Sequence, residues 1–194
     1  VILPALAGLT AGATHALSGP DHLAAVLPLA SEAPERGPLI GLSWGLGHGA
    51  GTVLLAVIAM GLRVQLDLDA LGSGAEALIG LVLIGTGLWA LRRVRRPVRD
   101  GHPGAALGIG TLHGVAGGAH VVVVISALAL PLESAVGWLV AFVVGAAGAM
   151  ATVGWLCRQV GVRAPEDWQR RARAVAGALA VAVGVGWLAT SVAW

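Results

Sequence analysis

The sequence predicts an all-α integral membrane protein of six transmembrane helices. Three observations carry that expectation. Of 194 residues, 57% are hydrophobic and only 11% charged, with mean hydropathy +0.85, whereas a water-soluble domain carries about 25% charged residues. The apolar residues come in long runs, without the alternation of a barrel strand, and a bilayer admits only helices and closed barrels. Glycine is abundant, at 30 residues, and small residues let membrane helices approach closely.

The first apolar segment, 2–30, is longer than one straight span requires, since ~20 residues rising 1.5 Å each cross a ~30 Å core. It is interrupted by Ser18-Gly19-Pro20-Asp21. Pro20 removes a backbone donor and Gly19 is permissive, so the helix is expected to break near Gly19-Pro20. Ser18 or Asp21 is the expected cap of the restarted helix. Five further spans are expected at 38–62, 75–91, 104–130, 134–157 and 174–193. The whole chain, 1–194, reads as one transmembrane domain: a first three-helix half over 1–91, an Arg-rich cytoplasmic loop over 92–103, and a second half over 104–194.

The loops orient the bundle. All 12 basic residues are arginines. Arg36, the group Arg92, Arg93, Arg95, Arg96 and Arg99, and the group Arg158, Arg163, Arg170, Arg171 and Arg173 fall on one side; Arg63 falls on the other, near Asp67 and Asp69. The positive-inside rule then places both termini outside and the Arg-rich loops in the cytoplasm. The segment Pro165–Arg173, with acids first and bases last, reads as a short interfacial helix. Trp89 and Trp155 fit the interfacial aromatic belt. The pI of about 9.9 follows from this arrangement, and nucleic acid is excluded as a partner. Cys157 is the single cysteine, so no internal disulfide and no cysteine metal cluster can form. The first span has no basic leader and no cleavage site of the secretory kind.

An internal repeat is expected. His15–Ala30 aligns with His113–Pro131, pairing His15 with His113, Gly19 with Gly117 and His22 with His120. The third spans align loosely and the middle spans poorly. Two halves of three spans are necessarily inverted across the membrane, an architecture of transporters whose broken helices meet near the midplane.

The chemistry-bearing residues are His15, Asp21, His22, His48, His113 and His120, all expected within a turn or two of mid-depth. Polar groups there are costly and usually functional. An ionised Asp21 beside a bound cation loses much of that cost, and imidazole suits nickel, copper, zinc and iron. A break at Pro20 also frees carbonyls at Leu17 and Ser18, where the negative end of the first half-helix favours a cation. His48 sits among Gly45, Gly47, Gly49 and Gly51, where close helix packing and a narrow pathway wall are both open readings. His102 reads as a solvated loop residue, Glu76 and Glu133 as interfacial end charges, and Trp44 as ordinary packing.

The run His15-Ala16-Leu17-Ser18-Gly19-Pro20-Asp21-His22, followed by Trp44-Gly45-Leu46-Gly47-His48-Gly49, resembles the nickel/cobalt transporter superfamily, especially its shorter UreH-like branch. That superfamily's signature sets four residues between a histidine and Asp-His; here five, Ala16 to Pro20, intervene. The spacing is more similar to the HupE/UreJ motif His-Pro-x-x-Gly-x-Asp-His, with Ala16 in place of the proline and Gly19 kept. Leu112–His120 is similar to the second-half motif of the UreH-like branch. The resemblance implies six spans, transport of nickel or a similar divalent ion, and His15, Asp21 and His22 as central ligands with His48 close by.

The expected function is therefore a membrane transporter of a divalent transition-metal cation, nickel or cobalt, in a bacterial inner membrane. Ni²⁺ or Co²⁺ is the transported substrate, and no tightly bound cofactor is expected. No GxxxxGK[ST] motif is present, so ion gradients or another subunit would supply the energy. The alternative is a haem- or chlorophyll-binding membrane subunit using the same histidines. An enzyme is not expected, because HExxH and a nucleophile–base pair are both missing. The partners are the lipid bilayer, the metal ion and, through the Gly-rich faces, a second copy or a partner membrane subunit.

Overall fold

The computed structural model describes residues 2–62, 68–95, 101–116 and 120–192, and within these the side chains except at 59–62, 68–76, 116, 120–122, 124 and 192. The described residues form eight α-helices and no strand: α1 (Ile2–Ser18), α2 (Pro20–Glu32), α3 (Gly37–Leu62), α4 (Leu68–Arg93), α5 (Pro103–Ala116), α6 (His120–Leu128), α7 (Leu132–Arg163) and α8 (Glu166–Val192). A single 3₁₀ turn, Pro34–Arg36, joins α2 to α3.

The first apolar segment breaks where Pro20 stands. Pro20 opens α2 at a position where the missing N–H costs nothing. Gly19 is the residue between the helices, with φ −76° and ψ 111°. Its N–H donates to the His15 carbonyl at 3.3 Å and its carbonyl accepts from the Leu23 N–H at 3.2 Å, so it closes one helix and opens the next. Neither expected cap forms: α2 has no side-chain cap, and the Ser18 hydroxyl donates back to the His15 carbonyl at 3.3 Å. The backbone at Gly19 is open to any residue. Glycine is needed there for space, because a Cβ would land on the imidazole of His22.

Among the described residues, three helices are long and apolar enough to cross a membrane, over Pro34–Ile58, Leu132–Arg163 and Glu166–Ser191. Leu3 (80% exposed), Leu132 (69%) and Val140 (58%) stand on the outer surface, where lipid and not water is the compatible solvent. Pro165–Arg173 is not a separate interfacial helix. Its charged residues form the first turns of α8, with Arg170 bridging Glu166 at 3.1 Å and Asp167 at 3.5 Å.

Glycines set the helix crossings. A Cβ on Gly8 or Gly12 of α1 would strike the backbone of Trp138 or Phe142 on α7, and one on Gly145 would strike Leu9. Along α3 and α5, Gly47 meets Leu107, Gly51 meets Thr111, Gly110 meets Trp44 and Gly114 meets His48. Both pairs run parallel, since the numbers rise together. Between α3 and α7, Gly37 faces Gly154 and Gly41 faces Met150; between α4 and α8, Gly80 faces Gly184 and Gly87 faces Gly177. Those pairs run antiparallel. Small residues at these crossings let the helix backbones touch directly. The buried interior enclosed by these crossings holds Ala16, Ala25, Val26, Trp44, Ala146 and Met150.

Candidate metal centre

The break at Gly19 delivers the ends of two helices to one point. His15 lies in the last turn of α1, Asp21 and His22 in the first turn of α2. The Asp21 carboxylate thus sits at the positive end of the α2 dipole. The α3–α5 and α1–α7 crossings bring His48 of α3 and His113 of α5 alongside. His48 is 0% exposed, His113 1%, His22 4% and Asp21 8%, while His15 is half-buried.

His15, His22 and His48 form the core of the site. Their candidate ligand nitrogens all lie within 4.8 Å of one another. His15 Nε2 stands 3.2 Å from His48 Nε2. Two imidazoles sharing a metal at ~2.0–2.1 Å per bond place their nitrogens about 3.0–3.4 Å apart, so this pair is already at the spacing of adjacent ligands. The His22 ring centroid is 4.7 Å from that of His15 and 4.8 Å from that of His48. Asp21 Oδ2 is 3.7 Å from His22 Nε2, within ion-pair reach and beyond a direct hydrogen bond.

His113 flanks the cluster from α5, outside the group whose ligand atoms lie within 4.8 Å of one another. Its Nδ1–H donates to the Ile109 carbonyl at 3.1 Å, which leaves Nε2 as the bare lone pair; that atom is buried without a partner. Its ring centroid is 6.2 Å from that of His22. A backbone carbonyl fixing one nitrogen while the other points inward is the usual preparation of a metal-ligating histidine. The side chain of His120 lies outside the described residues, as does the expected break at Gly117 to Ala119.

Trp44 was expected to be ordinary packing and is instead a wall of the site. Its indole stacks on His48 at 5.0 Å and 9°, and it meets His22 at 5.3 Å and His113 at 5.5 Å. Its Nε1, like His22 Nδ1, is buried without a hydrogen-bond partner. The signal in the sequence was its position one turn before His48, which puts both on one helix face. Phe142 covers His15 from α7 at 5.6 Å. Buried donors and acceptors without partners are rare, and several on one cluster of rings point to a bound species that satisfies them.

Two curated relatives from Arabidopsis thaliana are similar to the chain. One, "Chloroplast protein FOR GROWTH AND FERTILITY 1", is 35% identical over 86 residues, covering 44% of this chain and 24% of the relative. The other, "Chloroplast protein FOR GROWTH AND FERTILITY 2", is 28% identical over 172 residues, covering 78% of this chain and 46% of the relative. The chain spans less than half the length of the curated relatives it matches. No family model matches it, and no solved structure does.

These relatives overturn the expected function. They are chloroplast proteins named for growth and fertility, so a nickel or cobalt transporter does not stand, and neither does a bacterial inner membrane as its setting. The haem or chlorophyll alternative falls as well. The relatives' names, chloroplast proteins for growth and fertility, fit that reading no better.

Proposed function

We propose that this chain is a membrane-embedded metal-binding protein that holds one divalent first-row transition-metal ion on His15, His22 and His48. Asp21, beside His22, balances charge, and His113 is the fourth ligand, approaching from the second half of the bundle. The observation that carries the reading is the convergence of three histidines from α1, α2 and α3 with ligand atoms within 4.8 Å. Nitrogen-rich sites of this kind suit zinc, copper, iron and related ions. We assign it a binding role, with no catalysis.

The same proposal includes six membrane spans in two inverted halves: α1–α2, α3 and α4, then α5–α6, α7 and α8. Helix directions support it. α1 runs with α7 and α3 with α5, while α3 opposes α7 and α4 opposes α8, so α1 and α5 run oppositely. The glycine contacts support it residue by residue. Gly12 meets Phe142 as Gly110 meets Trp44, and Gly145 meets Leu9 as Gly47 meets Leu107. Each residue and its counterpart are separated by the same interval as His15 and His113. Under that correspondence Ala119 stands for Asp21 and Ala146 for His48, so the first half supplies the centre and the second half lends His113.

Titration of the purified full chain with Zn²⁺, with elemental analysis, tests the reading. About one ion per chain is expected, with affinity reduced ~10–100-fold in Asp21→Asn and more in His22→Ala or His48→Ala. Cu²⁺ as a probe should show nitrogen hyperfine splitting in its electron paramagnetic resonance spectrum. Parent-like zinc affinity in both histidine variants refutes the site.

A further inference from the structure

A second cavity, of about 340 Å³, opens between α2, α4 and α5 near the arginine-rich ends of these helices, lined by residues other than the histidine cluster. Glu32, the last residue of α2, lines it, is 5% exposed, and has Oε1 without a hydrogen-bond partner. Arg93, at the end of α4, lines it too, and its Nε is likewise buried without a partner. The wall between them is the indole of Trp89, over which the Arg93 guanidinium lies 4.9 Å from the ring centroid. Thr86 and His102 add two further polar side chains to the lining, Thr86 with its hydroxyl donated to the Val82 carbonyl at 2.9 Å, and the rest is mostly apolar, from Leu29, Ala105 and Ile109.

The ligand can be read from what the walls leave open. Glu32 offers an acceptor and Arg93 a donor, so the complement must both donate and accept. A hydroxyl does both. An anion is repelled by Glu32, and a cation by Arg93 and by Arg173, whose charge also reaches Glu32. Water alone is a poor filling for mostly apolar walls, whereas a volume above about 300 Å³ suits a small organic molecule. Carboxylate, guanidinium and indole together match a ring with hydroxyls on its edge and C–H groups on its face. We propose that this cavity binds a neutral sugar ring, free or as the headgroup of a membrane glycolipid.

The test uses the full chain, purified in a detergent without a sugar headgroup. Methyl glucoside is titrated calorimetrically, and glucosyl diacylglycerol is offered in phosphatidylcholine nanodiscs with binding read by native mass spectrometry. Saturable binding of at least one probe is expected, weakened tenfold or more in Glu32→Gln and in Gly85→Leu. Gly85 also lines the cavity, and a Cβ there meets nothing within 4 Å, so leucine fills the space without disturbing the helices; circular dichroism confirms the fold. Binding of the lipid alone assigns the headgroup as the source, and binding of the free sugar assigns the ring itself. No saturable binding of either probe, or binding unchanged in both variants, overturns the proposal.

Discussion

Gly19→Ala is the sharpest probe of the metal centre, because it adds one methyl group and removes no ligand. The added Cβ would fall inside van der Waals contact of three atoms of the His22 ring, Nδ1, Cγ and Cε1. The ring cannot share that space, so it must rotate away from His15 and His48. The backbone does not resist the change, since φ is −76° and ψ 111°. Replacing glycine by alanine at a helix N-cap costs about 0.5–1 kcal/mol, a fraction of the ~5–15 kcal/mol that keeps a protein folded. Misplacing one ligand by a second-shell change costs ~10–100-fold in metal affinity, or about 1.4–2.7 kcal/mol. The expected outcome is a folded variant, shown by unchanged circular dichroism and a small drop in melting temperature, whose zinc affinity falls at least ~10-fold. Gly85→Ala is the control, because its Cβ meets open space. A Gly19→Ala protein binding zinc as tightly as the parent would show that His22 holds no metal in this arrangement.

Three further outcomes follow from the same contacts. His113→Phe keeps the ring against Trp44 and removes the bare Nε2; zinc affinity should fall about tenfold with stability within about 1 kcal/mol of the parent, and an unchanged zinc isotherm would take His113 out of the ligand set. Burial pushes the Glu32 carboxyl above its ordinary range, with Arg173 and Arg93 pulling it back down. The folded state then holds this proton more tightly than the unfolded chain, so stability falls as pH rises from about 4.5 through the raised value and levels off above it. Glu32→Gln should remove that slope, and melting curves of parent and variant that stay parallel across pH would contradict it. Gly80→Leu drives a side chain into the Gly184 carbonyl of α8 and should cost about 1–3 kcal/mol; a neutral effect in denaturant unfolding would mean that α4 and α8 do not cross there.

The broken first helix was legible because two local rules agreed: Pro20 cannot donate, and the apolar run exceeded one span. His15, Asp21, His22 and His48 stood out because polar groups are conspicuous in so apolar a chain. Other features were hidden for physical reasons. Trp44 is apolar enough to pass for packing, and only the parallel stack on His48 gives it a role. The proposed correspondence of α3 with α7 was not legible because it rests on where backbones touch, at Gly47 and Gly145, among many glycines that look alike in one dimension. The start of α8 was misread because Pro165 and a charge cluster resemble a boundary, although proline and acids are what a helix start prefers. Glu32 was passed over because it falls just beyond an apolar span, and its burial depends on the ends of α4 and α8 closing over it.

The asymmetry between the two proposed halves bears directly on the proposed metal centre. Two halves related by inversion would place equivalent groups on both sides of the midplane, and a metal bound to both would sit between them. Under the proposed repeat, the equivalents of Asp21 and His48 are Ala119 and Ala146, and the equivalent of Trp44 is Phe142. The second half therefore supplies mostly apolar surface: Phe142 against His15, and the fully buried Ala146 among the core residues around the site. Such surface lowers the local dielectric, which strengthens the pull of Asp21 on a bound cation and raises the cost of leaving the histidines empty. Restoring a ligand in the second half separates this account from a symmetric one. Ala146→His adds an imidazole at the position equivalent to His48. In the asymmetric reading it has no paired carboxylate at 119 to support it, so zinc stoichiometry should stay at about one per chain and stability should fall by ~1–3 kcal/mol from overpacking. Two tightly bound ions per chain would instead mean that each half carries its own centre.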